Sequence, residues 1–226
     1  MPRVEATGLL SQSSTPSYVA SATPCRVVVL AEHIAQCDPE AVSIVFNFDI
    51  KVVMMPLNIT HTALFRRENH LQLLTPSFTR AAAAAFEGTL PEAATPVRRM
   101  LSTLLSFFAQ TYDEKFGFKE GPPVHDPLCV AYVVYPELFK CSRKRVDVEL
   151  HGTEALGAVV VDIWDYKKGR ADMQDWPEKD DDMTPKSWGR HGKNVLVAEE
   201  LDVPAFWDLF LDCVAEADKV SVLNKG

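Results

Sequence analysis

A histidine, an aspartate and a proline stand together at residues 125–127, directly after the loop-forming run GPPV. The imidazole of His125 is suited to proton transfer, because small changes in its surroundings move a histidine pKa across neutrality. Asp followed by Pro also starts many helices, with the carboxylate accepting a backbone N–H. By spacing alone we favour this capping role for Asp126, and a histidine such as His125, taken alone, is more often a structural or surface residue.

Two aromatic residues precede this triplet. Tyr112 and Phe116 are four residues apart in a stretch with helical periodicity, so they share one face of the predicted helix. Rings placed in this way can face a ligand or pack a core. From the residues alone, core packing is the preferred interpretation for Phe116.

Acidic residues offer weaker candidates. Glu32 follows an apolar run and is equally typical of a solvated loop. Asp180, Asp181 and Asp182 lie in a polar loop over 167–193 that lacks the spacing and the central glycine of an EF-hand. We therefore expect that loop to be solvated and not to bind a metal ion.

Two predicted apolar strands and a helix flank Glu32 and would position it. RVVVL (26–30) and KVVMMPLNIT (51–60), which is ended by Pro56 and Asn58, are predicted to be apolar strands. Between them, Asp38 is a predicted helix N-cap, and Ala41, Ile44 and Val45 are predicted to share the buried face. Strand, helix and strand in this order predict a parallel βαβ unit.

The remaining elements complete an α/β pattern without an internal repeat. Helical character is predicted from 62 to about 121, and a further helix from Asp126 to near Pro136. Strands are predicted over 146–150, 158–164 and 194–201, followed by an amphipathic helix to the end of the chain. Since no GxGxxG follows a strand, a Rossmann-type dehydrogenase is excluded.

The composition excludes several classes of protein. The 226 residues carry a net charge of −8 with a pI near 5.3, which disfavours nucleic-acid and anionic-membrane binding. No apolar run approaches the roughly 18 residues of a membrane-spanning helix. Five cysteines without CxxC spacing and the absence of a secretory signal indicate a reducing compartment, and we expect the cytoplasm.

Three ordered blocks resemble the inosine–uridine nucleoside hydrolases. GPPVHDPLCVA resembles the family's His-Asp-Pro motif, and CDPEA followed by VVMMPLNITHTAL resembles the stretch after its Glu-Phe-Asn motif. VDVELHGTEALGAVVVDIWDY and the segment from WGRHGKNVLVAEEL to the end are similar to the tail of fungal uridine-hydrolysing members. The resemblance runs from about 31 to 226 and implies a Rossmann-like, mostly parallel sheet flanked by helices.

The resemblance implies hydrolysis of a nucleoside N-glycosidic bond to ribose and free base. It assigns His125 to the leaving base, Asp126 to a Ca²⁺ ion, Glu32 to ribose hydroxyls, and Tyr112 and Phe116 to the base. Asn58 and His61 match positions that support these groups. The similarity to the fungal members favours uridine as the substrate.

The chain departs from the family pattern in two places. His33 and Ile34 stand where the Phe and Asn of Glu-Phe-Asn are expected, and Ile34 cannot hydrogen-bond a hydroxyl. The Asp-rich motif DxDxGxDD, which supplies most calcium ligands in the family, has no counterpart in this sequence. We therefore expect a fold truncated in its N-terminal half, with residues 1–25 as a disordered or non-family leader.

These departures lead to two hypotheses. The first is an enzyme by family whose activity is impaired in this chain. The second is a non-catalytic remnant that binds or regulates a full-length hydrolase, and a homo-oligomer also stays open. Loss of half a sheet would expose strand edges and apolar faces, so we expect low solubility or self-association.

Overall fold

The computed structural model describes residues 27–48, 50–164 and 192–225, which hold six strands and eight α-helices. The strands are β1 (Val27–Ala31), β2 (Lys51–Met55), β3 (Phe139–Lys144), β4 (Val146–Val148), β5 (Val159–Val161) and β6 (Val195–Leu201). The helices are α1 (Ile34–Cys37), α2 (Pro39–Phe46), α3 (Leu57–Thr60), α4 (Arg67–Leu74), α5 (Arg80–Ala84), α6 (Pro96–Phe116), α7 (Asp126–Val134) and α8 (Val203–Val220). The predicted leader over 1–25 and the acidic loop around Asp181 lie outside these ranges.

The main sheet has four strands in the order β1-β2-β6-β3. β1 pairs with β2 and β2 pairs with β6 in parallel, whereas β3 runs antiparallel to β6. β4 and β5 form a separate antiparallel pair. The mostly parallel sheet flanked by helices confirms the predicted α/β class and the predicted βαβ unit.

Helix α2 begins as predicted but buries a different face. Asp38 Oδ1 accepts a hydrogen bond from the backbone N–H of Ala41 at 2.9 Å, which confirms the predicted cap. Val42 and Phe46 are buried, whereas Ala41 and Ile44 are exposed. The predicted face was wrong because Phe46, near the helix end, determines which side packs on the sheet.

The stretch predicted as helical from 62 to 121 is divided into three helices, α4, α5 and α6. Thr79 and Thr95 each accept a backbone N–H at the start of a new helix, and the segments between helices carry Pro76 and Pro91. Helix α6 ends at Gly117, whose φ of 74° lies in the left-handed region that glycine tolerates. The apolar periodicity continued across these breaks and concealed them.

Strand β3 is absent from the sequence-based prediction. Its sequence FKCSRK is half charged, and the break at Pro136 removed it from the preceding helix without marking a strand. Phe139 and Arg143 are buried while Lys140 is exposed, and the pairing with β6 shifts between Lys140 and Cys141. This irregularity breaks the simple alternation that would have identified the strand.

Residues of β2 alternate between two apolar clusters on opposite faces of the sheet. Val53 and Met55 join the larger cluster with α7 and α8, and Val52 and Met54 join a smaller cluster with α2. The buried Asn194 side chain connects elements by bonding Val146 N, Val146 O and Phe46 O at 2.7–2.9 Å. Within the described ranges no helix combines the length and the apolar character needed to span a bilayer.

Candidate active site

The candidate site lies where β1 and β2 end. Glu32 follows β1 directly, and α3 follows β2 after Pro56. Tyr112 comes from the last turns of α6, and His125 stands at the start of α7. Ligands of open α/β sheets bind beyond the carboxyl ends of the strands, so this position is the expected one for a site.

His125 is hydrogen-bonded through both ring nitrogens. Nδ1 lies 2.8 Å from Thr60 Oγ1, and Nε2 lies 2.9 Å from the Tyr112 hydroxyl. Thr60 uses its only proton in a hydrogen bond to Leu57 O, so its oxygen accepts from Nδ1–H of His125. The network therefore assigns the neutral Nδ1–H tautomer, in which Nε2 accepts the Tyr112 O–H.

Other imidazoles surround His125. The ring of His33 lies 5.0 Å and the ring of His61 lies 5.7 Å from it, centroid to centroid. Burial, followed by the neighbouring His33 and His61, lowers the pKa of His125 to about 4, and Asp126 opposes the shift. At pH 7 His125 is therefore neutral, and its Nε2 accepts the hydrogen bond that orients the Tyr112 hydroxyl.

Aromatic rings cluster on one side of His125. The Tyr112 ring lies 5.3 Å from that of Phe116 and 5.7 Å from that of Phe118, and His61 lies 5.0 Å from Phe118. Phe116 is 66% exposed, so the core-packing interpretation preferred for it is wrong. Phe118 was not predicted as a site residue, because the break at Gly117 separates it from the periodicity of α6.

Glu32 connects the ends of the two strands. Its Oε2 accepts the backbone N–H of Leu57 at 2.8 Å, and its own N–H donates to Met55 O at 3.0 Å. The side chain is half-buried, so the solvated-loop alternative is wrong. Burial lowers the pKa of His61, and the negative charge of the nearby Glu32 carboxylate partly offsets this by raising it.

His33 also belongs to the site, although its position in the sequence marks it only as a departure from a motif. Its Nδ1 is buried and has no hydrogen-bond partner among the described residues. An unpartnered buried nitrogen is unfavourable by about 1–3 kcal/mol in an interior. Its neighbour Ile34 is 40% exposed and makes no polar contact with the site.

Asp126 is the first residue of α7 and not its cap. The N-cap position is taken by His125, which makes no side-chain capping bond, and the Asp126 side chain is exposed. The capping interpretation favoured by spacing is therefore wrong. Burial raises the pKa of Tyr112, and the negative charge of the Asp126 carboxylate raises it further. Asp126 therefore acts on the site through its charge.

A calcium site needs about six to eight oxygen ligands. In the parts of the chain that the structure describes, no group of three or more His, Cys, Asp or Glu side chains could hold a metal ion. Asp126 and Glu32 therefore do not by themselves form the calcium site that the resemblance implies.

Comparison with known proteins identifies the family. A family model described as inosine-uridine preferring nucleoside hydrolase matches residues 20–208, and the chain belongs to this family. It is 34% identical over 184 residues to a probable ribonucleoside hydrolase of Dictyostelium discoideum, covering 81% of this chain and 44% of that relative. It is 38% identical over 135 residues to the pyrimidine-specific ribonucleoside hydrolase RihA of Salmonella newport, covering 59% of this chain and 38% of that protein.

Solved structures show the same fold. A purine-preferring ribonucleoside hydrolase from Gardnerella vaginalis superposes with a TM-score of 0.59 at 19% identity, over 87% of this chain and 51% of that one. A plant nucleoside hydrolase gives a TM-score of 0.53 at 19% identity, over 80% of this chain and 46% of that one. The chain thus spans about half the length of the proteins that it matches, or less.

Proposed function

We propose that this chain contributes to hydrolysis of the N-glycosidic bond of ribonucleosides, with uridine as the preferred substrate. Family membership supports the reaction class, and the curated relative named as pyrimidine-specific supports the base. In the reaction the C1′–N bond breaks, water oxygen bonds to C1′, and the water proton passes to the departing base. The sugar becomes oxocarbenium-like in the transition state.

The observation that carries the proposal is His125 held between Thr60 and Tyr112 beside a cluster of aromatic rings. Tyr112, Phe116 and Phe118 offer faces for a planar base. His125 fixes the Tyr112 hydroxyl through Nε2, so that ring cannot rotate freely when a base binds. Glu32 accepts the Leu57 N–H through Oε2, and we assign its other carboxylate oxygen to a sugar hydroxyl.

We further propose that the chain alone hydrolyses slowly. The described residues offer too few carboxylates to hold the calcium ion that the resemblance implies. The same observation favours the second candidate function, a non-catalytic chain that binds a hydrolase. The cytoplasm stays the proposed location, supported by free thiols at Cys37, Cys129, Cys141 and Cys213.

The first test is release of ribose from uridine and from inosine by the purified chain. We expect slow release above the rate without protein, and a loss of about 100-fold of the catalysed rate in His125→Ala, because the Tyr112 ring that it positions against the base would be released. The exposed His151 provides a matched control, and His151→Ala should leave the rate unchanged.

Two results would contradict the proposal. Equal rates in His125→Ala and the unmodified chain would remove His125 from the reaction. No release of ribose by a chain that melts cooperatively would reject hydrolysis by this chain and support the non-catalytic alternative.

A further inference from the structure

A cavity of about 420 Å³ lies between α4, the segment 90–93 and α6. None of its lining residues belongs to the candidate active site. On α6 the lining residue Ser102 comes ten residues before Tyr112, which corresponds to about 15 Å along the helix. Sites for small molecules have volumes in this range and combine apolar walls with a few polar groups. The cavity is therefore large enough for a ligand of its own.

One wall of the cavity is polar and comes from α6. Arg99, Ser102 and Ser106 are spaced by three and four residues, so they share one face of the helix. Ser102 Oγ lies 2.7 Å from Nε2 of His70 on α4. Burial and the charge of Arg67 lower the pKa of His70, so its imidazole is neutral at pH 7. Whichever of the two atoms donates, the Ser102 hydroxyl keeps capacity for a hydrogen bond to a ligand.

Two side chains of opposite charge line the cavity without an ion pair. Arg99 and Glu92 are exposed, and within the described ranges neither forms a salt bridge. An arginine fork binds phosphate oxygens in pairs, and a carboxylate accepts hydrogen bonds from hydroxyl groups. Arg67 lies close enough to His70 for its positive charge to act there. Two cations thus outweigh the one lining carboxylate, which favours an anionic group on the ligand.

The opposite wall is apolar. Leu74, Leu90 and Pro91 supply this part of the lining, and Leu74 is buried while Leu90 is 41% exposed. A sugar ring has C–H groups that gain from contact with such a surface, and its hydroxyls need polar partners. The lining therefore combines a cation for an anionic group, acceptors and donors for hydroxyls, and an apolar surface for a small ring.

We propose that this cavity binds a sugar phosphate. Arg99 holds the phosphate, Glu92 and Ser102 contact the sugar hydroxyls, and Leu74 and Leu90 pack against the ring. Inorganic phosphate presents the same anion without the sugar, so the two are distinguished by the test. The site is separate from the candidate active site, and the proposal does not depend on hydrolysis by this chain.

The test is calorimetric titration of the 226-residue chain with ribose 5-phosphate, with ribose and with inorganic phosphate. We expect one-to-one binding of ribose 5-phosphate. Ribose and phosphate should each bind about tenfold more weakly or less, because each makes only part of the contacts. Uridine in excess should not displace ribose 5-phosphate, since the cavity shares no residue with the candidate active site.

Two variants separate the phosphate contact from the sugar contact. Arg99→Gln should weaken the binding of ribose 5-phosphate about tenfold or more, because it removes a charge-assisted hydrogen bond. Arg80→Gln is the matched control, since Arg80 is an exposed arginine outside the cavity lining, and this variant should bind as the unmodified chain does. Glu92→Ala should lower the affinity for ribose 5-phosphate relative to that for phosphate. Arg99 and Glu92 are both exposed, so these substitutions leave the core intact.

Four results would overturn the proposal. The first is no saturable binding of ribose 5-phosphate by a chain that melts cooperatively, and the second is unchanged binding by Arg99→Gln. Equal affinities for phosphate and ribose 5-phosphate would show a simple anion site. Displacement by uridine would place the ligand in the candidate active site. None of these readouts measures hydrolysis, so they are independent of the ribose-release test.

Discussion

At the scale of single residues, a buried charge connects α6 to α8. Arg98 is 2% exposed and pairs with Asp218, and its Nη1 donates to Leu73 O at 2.7 Å. Thr95 and Asn224 donate hydrogen bonds to the same carboxylate. Removing one partner of such a pair leaves the other charge buried without compensation.

Asp218→Ala should lower the free energy of unfolding by about 3 kcal/mol, the usual effect of breaking a buried ion pair. Asp208 offers a control, because it also joins α8 to an arginine, Arg80, but both side chains are substantially exposed. Asp208→Ala should lower the unfolding free energy by less than about 1 kcal/mol. Urea titration measures both, and equal losses would contradict the buried-charge argument.

The same carboxylate predicts a pH dependence. Burial alone would raise the pKa of Asp218, but the hydrogen bonds from Thr95, Arg98 and Asn224 outweigh it and lower the pKa. A lowered folded-state pKa contributes stability above the unfolded pKa of about 3.9, which is lost as the pH falls through the folded value. The stability difference between the unmodified chain and Asp218→Ala should therefore shrink below about pH 4. A difference that stays constant from pH 6 to pH 3 would contradict this assignment.

The histidine tautomer provides a further residue-scale prediction. Nitrogen NMR of labelled protein at pH 7 should show His125 neutral with its proton on Nδ1, because Thr60 accepts there and Tyr112 donates to Nε2. Thr60→Val should abolish this preference. Thr62→Val is the control, since among the described residues the Thr62 hydroxyl bonds only Ile59 O in the same turn. A dominant Nε2–H form in the unmodified chain would refute the assigned network.

At the scale of elements, the loop that delivers His125 depends on Gly121. This residue has φ of 135°, and a Cβ placed on it would lie 2.2 Å from Phe65 O. Phe65 N donates to Pro122 O at 2.9 Å, so the loop is bound closely to the segment before α4. No side chain fits at this position without displacing the loop.

Gly121→Ala should therefore destabilise the fold by about 3 kcal/mol, through backbone strain and overpacking together. Gly117→Ala is the matched control: it has φ of 74° and open space around the added Cβ, so it should cost about 1 kcal/mol. Thermal unfolding of both variants measures the difference. A similar small loss in both would show that the loop can move away from Phe65.

Some helices and strands are marked by local features of the sequence, and others are not. Helix α2 and strands β1 and β2 were predicted because caps, prolines and apolar runs are local properties. Strand β3 was missed because its pairing with β6 is made by a segment more than fifty residues away. In the site, Tyr112 bonds His125, and Glu32 precedes His33, whose ring contacts that of His125. The roles that the resemblance implies for these residues stay predictions. The positions of Phe118 and His33 depend on loop geometry that no spacing reveals.

At the scale of the whole molecule, the free thiols differ in environment. Burial raises the pKa of Cys129 and of Cys141 to about 11 each, while Cys37 is exposed. Since the thiolate is the reactive form, Cys37 should react with a maleimide at pH 7.5 about tenfold faster or more than Cys129 and Cys141. Mass spectrometry of digested protein measures the rates. Equal rates at all three sites would show that the core opens readily.

The position of β6 between β2 and β3 has a consequence for how the chain folds during synthesis. Val52 pairs with Val195, so the sheet joins the first described strand pair to residues near the end of the sequence. Closing a loop between such distant residues is slow, and proteins dominated by distant contacts fold slowly. On the ribosome, the backbone groups along the edge of β2 that later pairs with β6 stay unpaired until β6 has left the exit tunnel. Chaperones that shield unfinished sheets would therefore act on this segment between the synthesis of β2 and that of β6.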